Sequence, residues 1–112
     1  MELSQRQIGD VVVLDLSGKI TLTDSDGRVK DRVTALVADG YKKVVLNLSR
    51  VTDMDSTGLG ETVACYTSMT RCQGEIKLVG ATARIKSLLV ITKLINVFDC
   101  YDKLEEALAA FK

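Results

Sequence analysis

The sequence contains no histidine, no proline and no tryptophan, and only 4% of its residues are aromatic. Without histidine, the usual general base for a serine or cysteine nucleophile is missing, and a zinc site would have to use cysteines and carboxylates. No Cys-x-x-Cys pair occurs, which argues against such a zinc site. Without proline, turns must depend on glycine, Asn, Asp, Ser and Thr. We therefore expect a protein that is not an enzyme and that needs neither a metal nor another cofactor.

An excess of charge and a long apolar run are also missing. The 15 basic residues balance 15 acidic ones, so no long-range field would bring the chain to nucleic acid or to an anionic membrane. No apolar stretch approaches the ~20 residues of a membrane span, and the N-terminus lacks the apolar core of a signal peptide. We expect a cytoplasmic protein that recognises partners by shape and short-range contacts, without nucleic-acid binding or membrane insertion.

The three cysteines do not form a disulfide framework. Cys65 and Cys72 lie on one predicted helix with their Cα atoms about 10 Å apart, which is too far for a disulfide. Reduced thiols that fill small gaps in the core are the default interpretation. The 112 residues, of which 46% are hydrophobic, are sufficient for one domain with its own core, and we expect residues 1–112 to form it.

Hydrophobic periodicity predicts an alternation of strands and helices. Residues 3–8 and 11–16 read as a hairpin joined at Gly9-Asp10, followed by a loop over residues 19–23. The elements expected after it are a helix with apolar residues at Val29, Val33, Leu36 and Val37, strands at 43–48 and 75–79, a helix from about Ser56 to Cys72, a short helix around 85–89, a short strand at 96–100 and a helix at 102–111. This order predicts an α/β fold with a mixed, mostly parallel sheet of four to five strands, an antiparallel N-terminal edge strand and about four helices.

Polar residues and glycines mark the ends of the predicted helices. Thr23, Asp24 or Ser25 can cap the first helix, and Gly40 can end it. Thr82 can cap the short helix that follows the strand at 75–79.

The stretch from Val44 to Gly60, VVLNLSRVTDMDSTGLG, contains the candidate functional residue. Its apolar start predicts a short strand buried on both faces, and residues 49–53 then predict a polar turn. Helical spacing begins after Asp55, which places the Ser56 hydroxyl where a strand ends and a helix begins. Free N–H groups and the helix dipole favour negative charge at that point. Ser56 is therefore either a plain helix cap or a hydroxyl open to modification.

Two glycines in the first turn of this helix, Gly58 and Gly60, require an explanation, because each costs a helix roughly 1 kcal/mol relative to alanine. One explanation is close packing of the helix on the sheet. The other is that a partner protein must approach Ser56 closely.

The block Asp-Ser-Thr-Gly-Leu-Gly over residues 55–60 resembles the phosphorylation-site signature of bacterial anti-sigma factor antagonists, the STAS domain family. The resemblance extends over nearly all of the chain. It includes Leu16-Ser17-Gly18, residues 75–80 and the stretch from Val97 to Leu108. It implies a STAS-type fold, in agreement with the predicted order of elements.

The resemblance also implies a function and assigns residues to it. In this family the unphosphorylated antagonist binds a kinase-type anti-sigma factor and frees the sigma factor; the kinase then phosphorylates the motif serine, and a phosphatase resets it. Ser56 matches that serine, and Asp55, Thr57 and Gly58 match the flanking motif. Asp53 and Asp55 would oppose the phosphate by like-charge repulsion. We expect these residues to lie on the surface that binds the partner.

Two departures from the family pattern stand out. Many relatives carry an aspartate that lies near the phosphorylated serine, and this chain has Thr21 in its place, with Asp24 three residues further on. A common Thr-Gly-Leu near the C-terminus is Thr92-Lys93-Leu94 here, at a helix end. The first departure leaves room for a second interpretation, in which the chain is a STAS interaction module of a signalling scaffold or an accessory part of a transporter.

Overall fold

A computed structural model describes residues 1–111. Within them the elements are β1 (Glu2–Ile8), β2 (Val11–Ile20), α1 (Arg28–Ala38), β3 (Lys43–Met54), α2 (Ser56–Arg71), β4 (Glu75–Val79), α3 (Ala83–Ile91), a 3-10 turn (Leu94–Asn96), β5 (Asp99–Tyr101) and α4 (Leu104–Ala110). The strands form one sheet in the order β1-β2-β3-β4-β5. β1 pairs antiparallel with β2, and the later pairs are parallel. The predicted fold class is confirmed.

Both faces of the sheet are covered by helices, and alternation along each strand divides the core in two. On β2, Val12 and Leu14 lie in the larger core, which is completed by apolar residues of α1, α2 and α3. Val11 and Val13 lie in the smaller core, which α4 covers through Ala107. This division follows from the alternation of side chains along a strand. In β3 the run Val44–Leu46 is buried on both faces, as predicted for a central parallel strand.

β2 and β3 are longer than their composition indicates. The predicted polar turn at residues 49–53 is wrong, because this stretch continues β3 as far as Met54. It pairs with a continuation of β2, in which Gly18 lies opposite Val51 and Ile20 lies opposite Met54. Val51 and Met54 are buried in the core. Their burial keeps residues 49–54 in the sheet, although the other residues of this segment are polar. The predicted loop after Ser17 therefore begins only after Ile20.

The predicted cap of α1 is also wrong. The helix begins after Gly27, which has a left-handed φ of 76° and provides no side-chain cap, so neither Thr23, Asp24 nor Ser25 is the capping residue. Asp26 also has a positive φ, 45°, and these two residues delay the start of the helix. At the other end Gly40 has a φ of 90° and its N–H donates to Val37 O, as expected of a helix stop.

The C-terminal third follows the predicted order with shifted boundaries. Thr82 caps α3 as predicted, with its Oγ1 accepting from Ile85 N–H at 3.4 Å. α3 ends at Ile91, and Lys93 takes a left-handed φ of 63° where the family pattern has glycine, so that departure changes a helix end. The last strand was predicted at 96–100 and lies at Asp99–Tyr101. Asn96 belongs instead to the 3-10 turn. Between residues 1 and 111, none of the helices is both long and apolar enough to cross a bilayer.

Candidate functional site

Ser56 is the first residue of α2 and is exposed, two residues after the end of β3. The predicted position of its hydroxyl, at a junction of strand and helix, is therefore confirmed. Thr57 follows it and is exposed as well. The first N–H groups of a helix lack partners within the helix, and they point toward whatever is attached at this end.

Asp55 is the N-cap of α2 and connects two parts of the chain. Its Oδ1 accepts from Gly58 N–H at 2.8 Å, and its Oδ2 accepts from Leu22 N–H at 3.1 Å. These two hydrogen bonds, first that of Gly58 and then that of Leu22, hold the pKa of Asp55 below its ordinary value. One ionised side chain thus fixes the first turn of α2 and attaches it to the loop that follows β2.

Asp53 is directed toward α3. Its Oδ1 pairs with Arg84 Nε at 2.6 Å and accepts from Met54 N–H at 2.8 Å. The Arg84 guanidinium, followed by the Met54 N–H, lowers the pKa of the Asp53 carboxyl. Because this ion pair is exposed, water screens it, and Arg84 offsets only part of the negative charge of Asp53.

Gly58 is explained by close packing. A Cβ at this position would lie 1.8 Å from the backbone oxygen of Ile20, so the first turn of α2 lies directly against the end of β2. At Gly60 a Cβ would have no atom within 4 Å. The packing interpretation therefore holds for Gly58, whereas close approach of a partner remains a prediction for Gly60.

Thr21 and Asp24 lie in the β2–α1 loop that Asp55 attaches to α2. Thr21 is half-buried, and its Oγ1 accepts from Asp24 N–H at 3.3 Å, so a hydroxyl stabilises the turn where the family has a carboxylate. Asp24 is exposed, and its backbone oxygen accepts from the N-terminal amine of Met1 at 3.4 Å. Their participation in partner binding stays a prediction.

Sequence reasoning missed Glu61, a buried carboxylate on α2. Ser25 Oγ donates to its Oε1 at 2.7 Å, and Lys30 N–H donates to its Oε2 at 3.0 Å. Glu61 therefore supplies, from a neighbouring helix, the N-terminal cap that α1 lacks. The sequence did contain a signal for it. Glu61 lies three residues after Gly58 and four before Cys65, which places it on the buried face of the same helix.

A groove of about 480 Å³ lies away from Ser56, along β1, β2 and β3. Its floor is a polar network in which Asp15 accepts from Arg6 at 2.8 and 3.2 Å and from Asn47 Nδ2 at 2.8 Å. None of the residues around Ser56 lines this groove. Across the part of the chain that the structure describes, no group of three or more Cys, Asp or Glu is arranged to hold a metal ion.

Residues 2–107 match the sequence model of the STAS domain family. A candidate anti-sigma factor antagonist from Thermotoga neapolitana is 31% identical over 101 residues, covering 90% of this chain and 89% of that protein. The crystal structure of a candidate anti-sigma factor antagonist from Thermotoga maritima superposes with a TM-score of 0.90 at 26% identity, covering 97% of this chain and 93% of that one.

A third similar structure is that of the Bacillus cell fate determinant SpoIIAA in its phosphorylated form. It superposes with a TM-score of 0.76 over 96% of this chain and 97% of that one. At 16% identity, this likeness concerns the fold alone.

Proposed function

The chain belongs to the STAS domain family, and we propose that it is an anti-sigma factor antagonist whose partner binding is switched off by phosphorylation of Ser56. The unmodified chain binds a kinase-type anti-sigma factor and thereby releases a sigma factor. A phosphatase later removes the phosphate from Ser56. The chain acts in the cytoplasm as one domain, and it catalyses no reaction itself.

The observation that carries this proposal is the exposure of Ser56 on a helix start whose geometry is fixed. The hydroxyl is open to a kinase, while Asp55 and the packing of Gly58 on Ile20 hold the backbone around it. A phospho-acceptor needs nothing more from its own fold, because the kinase brings ATP, magnesium and the base.

The transfer itself is a simple exchange of bonds. An Oγ–P bond forms to Ser56, the bond between the β- and γ-phosphates of ATP breaks, ADP leaves, and the hydroxyl proton passes to the kinase. Ser56 then carries about −1.5 to −2 charges at pH 7 and three acceptor oxygens. Asp55 already accepts from the Gly58 N–H, but the positive end of the α2 dipole still tolerates this dianion, so the fold need not change.

Partner binding responds differently. If a partner docks flush over Ser56, the dianion becomes buried in the interface beside Asp55, and this costs several kcal/mol unless a cation meets it. Because about 1.4 kcal/mol corresponds to a tenfold change, a loss of affinity of about a hundredfold or more follows. Phosphorylation thus ends the complex by changing a small area of surface.

The experiment uses the kinase-type anti-sigma factors encoded in the same genome, each purified. Intact mass after incubation with ATP should show one added phosphate on the wild type and on Thr57→Ala, and none on Ser56→Ala. Ser56→Asp should lose about a hundredfold or more in affinity by calorimetry. Labelling of Ser56→Ala, or equal affinity of the wild type and Ser56→Asp, would contradict the proposal.

The hydroxyl of Thr21 supports a second candidate function. Because Thr21 stands in place of the family's aspartate and its hydroxyl accepts from Asp24 N–H, this side chain offers no carboxylate to a kinase. A STAS module in a signalling scaffold or beside a transporter does not need that carboxylate. Recovery of a membrane transport complex on tagged chain, together with failure of all kinases to label Ser56, would favour this alternative.

A further inference from the structure

Leu22 exposes 59% of its surface in the loop between β2 and α1, residues 21–27. A single exposed leucine usually needs no explanation. This one lies beside the phosphorylation site, because its N–H donates to the carboxylate of Asp55, the residue before Ser56. The backbone of Leu22 is therefore attached to the residue before Ser56, and the side chains of both Leu22 and Ser56 are exposed.

The loop that presents Leu22 is held at two points by carboxylates, one from the N-cap of α2 and one from within α2. Asp55 binds the N–H of Leu22 at 3.1 Å, and Glu61 binds the hydroxyl of the buried Ser25 at 2.7 Å. Between them, Ser25 N–H donates to Thr21 O at 2.9 Å, which closes a turn. Because the backbone is already ordered, a partner that contacts Leu22 need not immobilise the loop, which is the condition for an efficient contact.

The charge of the same loop indicates what kind of partner fits it. Asp24 and Asp26 are both exposed, and residues 21–27 contain no basic residue. Asp55 adds a further negative charge at the edge of the loop. Two cations border the same loop, the N-terminal amine, which donates to Asp24 O at 3.4 Å, and the exposed Arg28, so three exposed carboxylates accompany two positive charges and leave an acidic excess near the apolar side chain. A complementary surface has an apolar recess bordered by lysine or arginine.

We propose that Leu22 is the apolar anchor of the interface with the anti-sigma factor, inserting into a recess bordered by basic residues. The proposal rests on the proposed function, since it names the partner of the Ser56 surface. Anchors of this kind sit near the centre of an interface and account for much of its affinity. The adjacent position of Ser56 also explains the switch, because a phosphate there would enter the interface next to its anchor.

The first test is the affinity of Leu22→Ala for the purified kinase-type anti-sigma factor that the wild type binds. Because the side chain is exposed, this variant should melt like the wild type. We expect its affinity to fall by about tenfold or more. The matched control is Ile8→Ala, since Ile8 is 39% exposed and pairs with Val11 at the opposite end of β2, about 30 Å away. The control should bind within about twofold of the wild type.

The second arm tests the acidic excess with Asp24→Asn and Asp26→Asn combined, since asparagine accepts the left-handed φ of residue 26. The association rate should fall by about threefold or more at low salt, and its salt dependence should weaken. Two results would overturn the proposal while the proposed function stands: Leu22→Ala binding like the wild type when Ser56→Asp does not bind, or unchanged association of the double variant. If the wild type binds none of these anti-sigma factors, both proposals fail.

Discussion

Asp55 and Glu61 act on the same loop from the same helix, but in different surroundings. Asp55 is exposed, so water screens its hydrogen bonds to Gly58 and Leu22. Glu61 is only 7% exposed, and its carboxylate receives the Ser25 hydroxyl and the Lys30 N–H inside the protein. Removing a buried acceptor leaves its donors without compensation, whereas water can replace an exposed one. The loop should therefore depend on Glu61 for stability.

Glu61→Ala should lower the free energy of unfolding by about 2 to 4 kcal/mol, because the Ser25 hydroxyl and the Lys30 N–H both lose their acceptor. Glu61→Gln keeps an acceptor oxygen of similar shape and should lose about 1 kcal/mol. The measurement is urea denaturation of both variants with the slope of the transition compared. Equal stability of Glu61→Ala and the wild type would show that these hydrogen bonds contribute nothing net.

Among the secondary-structure elements, the features that depend on local sequence were predicted correctly. The hairpin, the two-sided burial of Val44–Leu46 and the start of α2 at Ser56 follow from period-two alternation, an apolar run and helical spacing. The motif residues Asp55–Gly58 are contiguous, so the core of the candidate site was predictable.

Other features depend on contacts that no local pattern contains. The extension of β3 through residues 49–54 has polar composition, and it is a strand because it pairs with residues 17–20 of β2. The cap of α1 comes from Glu61, 31 positions away from Lys30 in the chain. The attachment of Leu22 to Asp55 likewise spans 33 positions. These features follow from tertiary packing, which overrides the weaker local preferences.

The contact between α2 and β2 gives a paired prediction at Gly58 and Gly60, which lie two residues apart on one helix. Gly58→Ala would place a methyl group 1.8 Å from the Ile20 backbone oxygen, so α2 must move, at a cost of about 3 kcal/mol or more. Gly60→Ala meets open space and should stabilise by about 0.5 to 1 kcal/mol.

Thermal melting and urea denaturation of the two variants measure the expected loss of stability at position 58 and the expected gain at position 60. Both variants carry the same change from glycine to alanine, so they can be compared directly. A loss of stability at position 60, or none at position 58, would mean that the start of α2 is not pressed against the end of β2 as described.

For the whole molecule, the hydrophobic cores on the two faces of the sheet differ in size. The larger core joins the sheet to α1, α2 and α3. On the other face the smaller core includes a buried cation, since Lys77 is 3% exposed, pairs with Asp99 at 3.1 Å, and lies 4.9 Å from the ring centre of Phe111. Because Ser56 begins a helix of the larger core, the partner binding and phosphorylation proposed above would take place on the side of the sheet that carries this core.

Cys65 reports on that larger core, because it is fully buried within it on α2. Burial, followed by the negative charge of Glu61, raises the pKa of the Cys65 thiol to about 12. Thiol reagents react with the thiolate, so at pH 8 native Cys65 is both inaccessible and protonated. In a variant with Cys72→Ser and Cys100→Ser, Cys65 should react only through global unfolding. Its labelling rate should rise with urea along the same slope as the unfolding equilibrium.

The matched variant keeps Cys72 alone, through Cys65→Ala and Cys100→Ser. Cys72 is half-buried at the C-terminal end of α2, where helix ends open easily, so its labelling should be faster and depend little on urea. If Cys65 instead reacted as fast as Cys72 and with as little dependence on urea, α2 would separate from the sheet without global unfolding. Ser56 would then stand on a mobile helix, and a switch based only on surface charge would no longer account for the release of a partner.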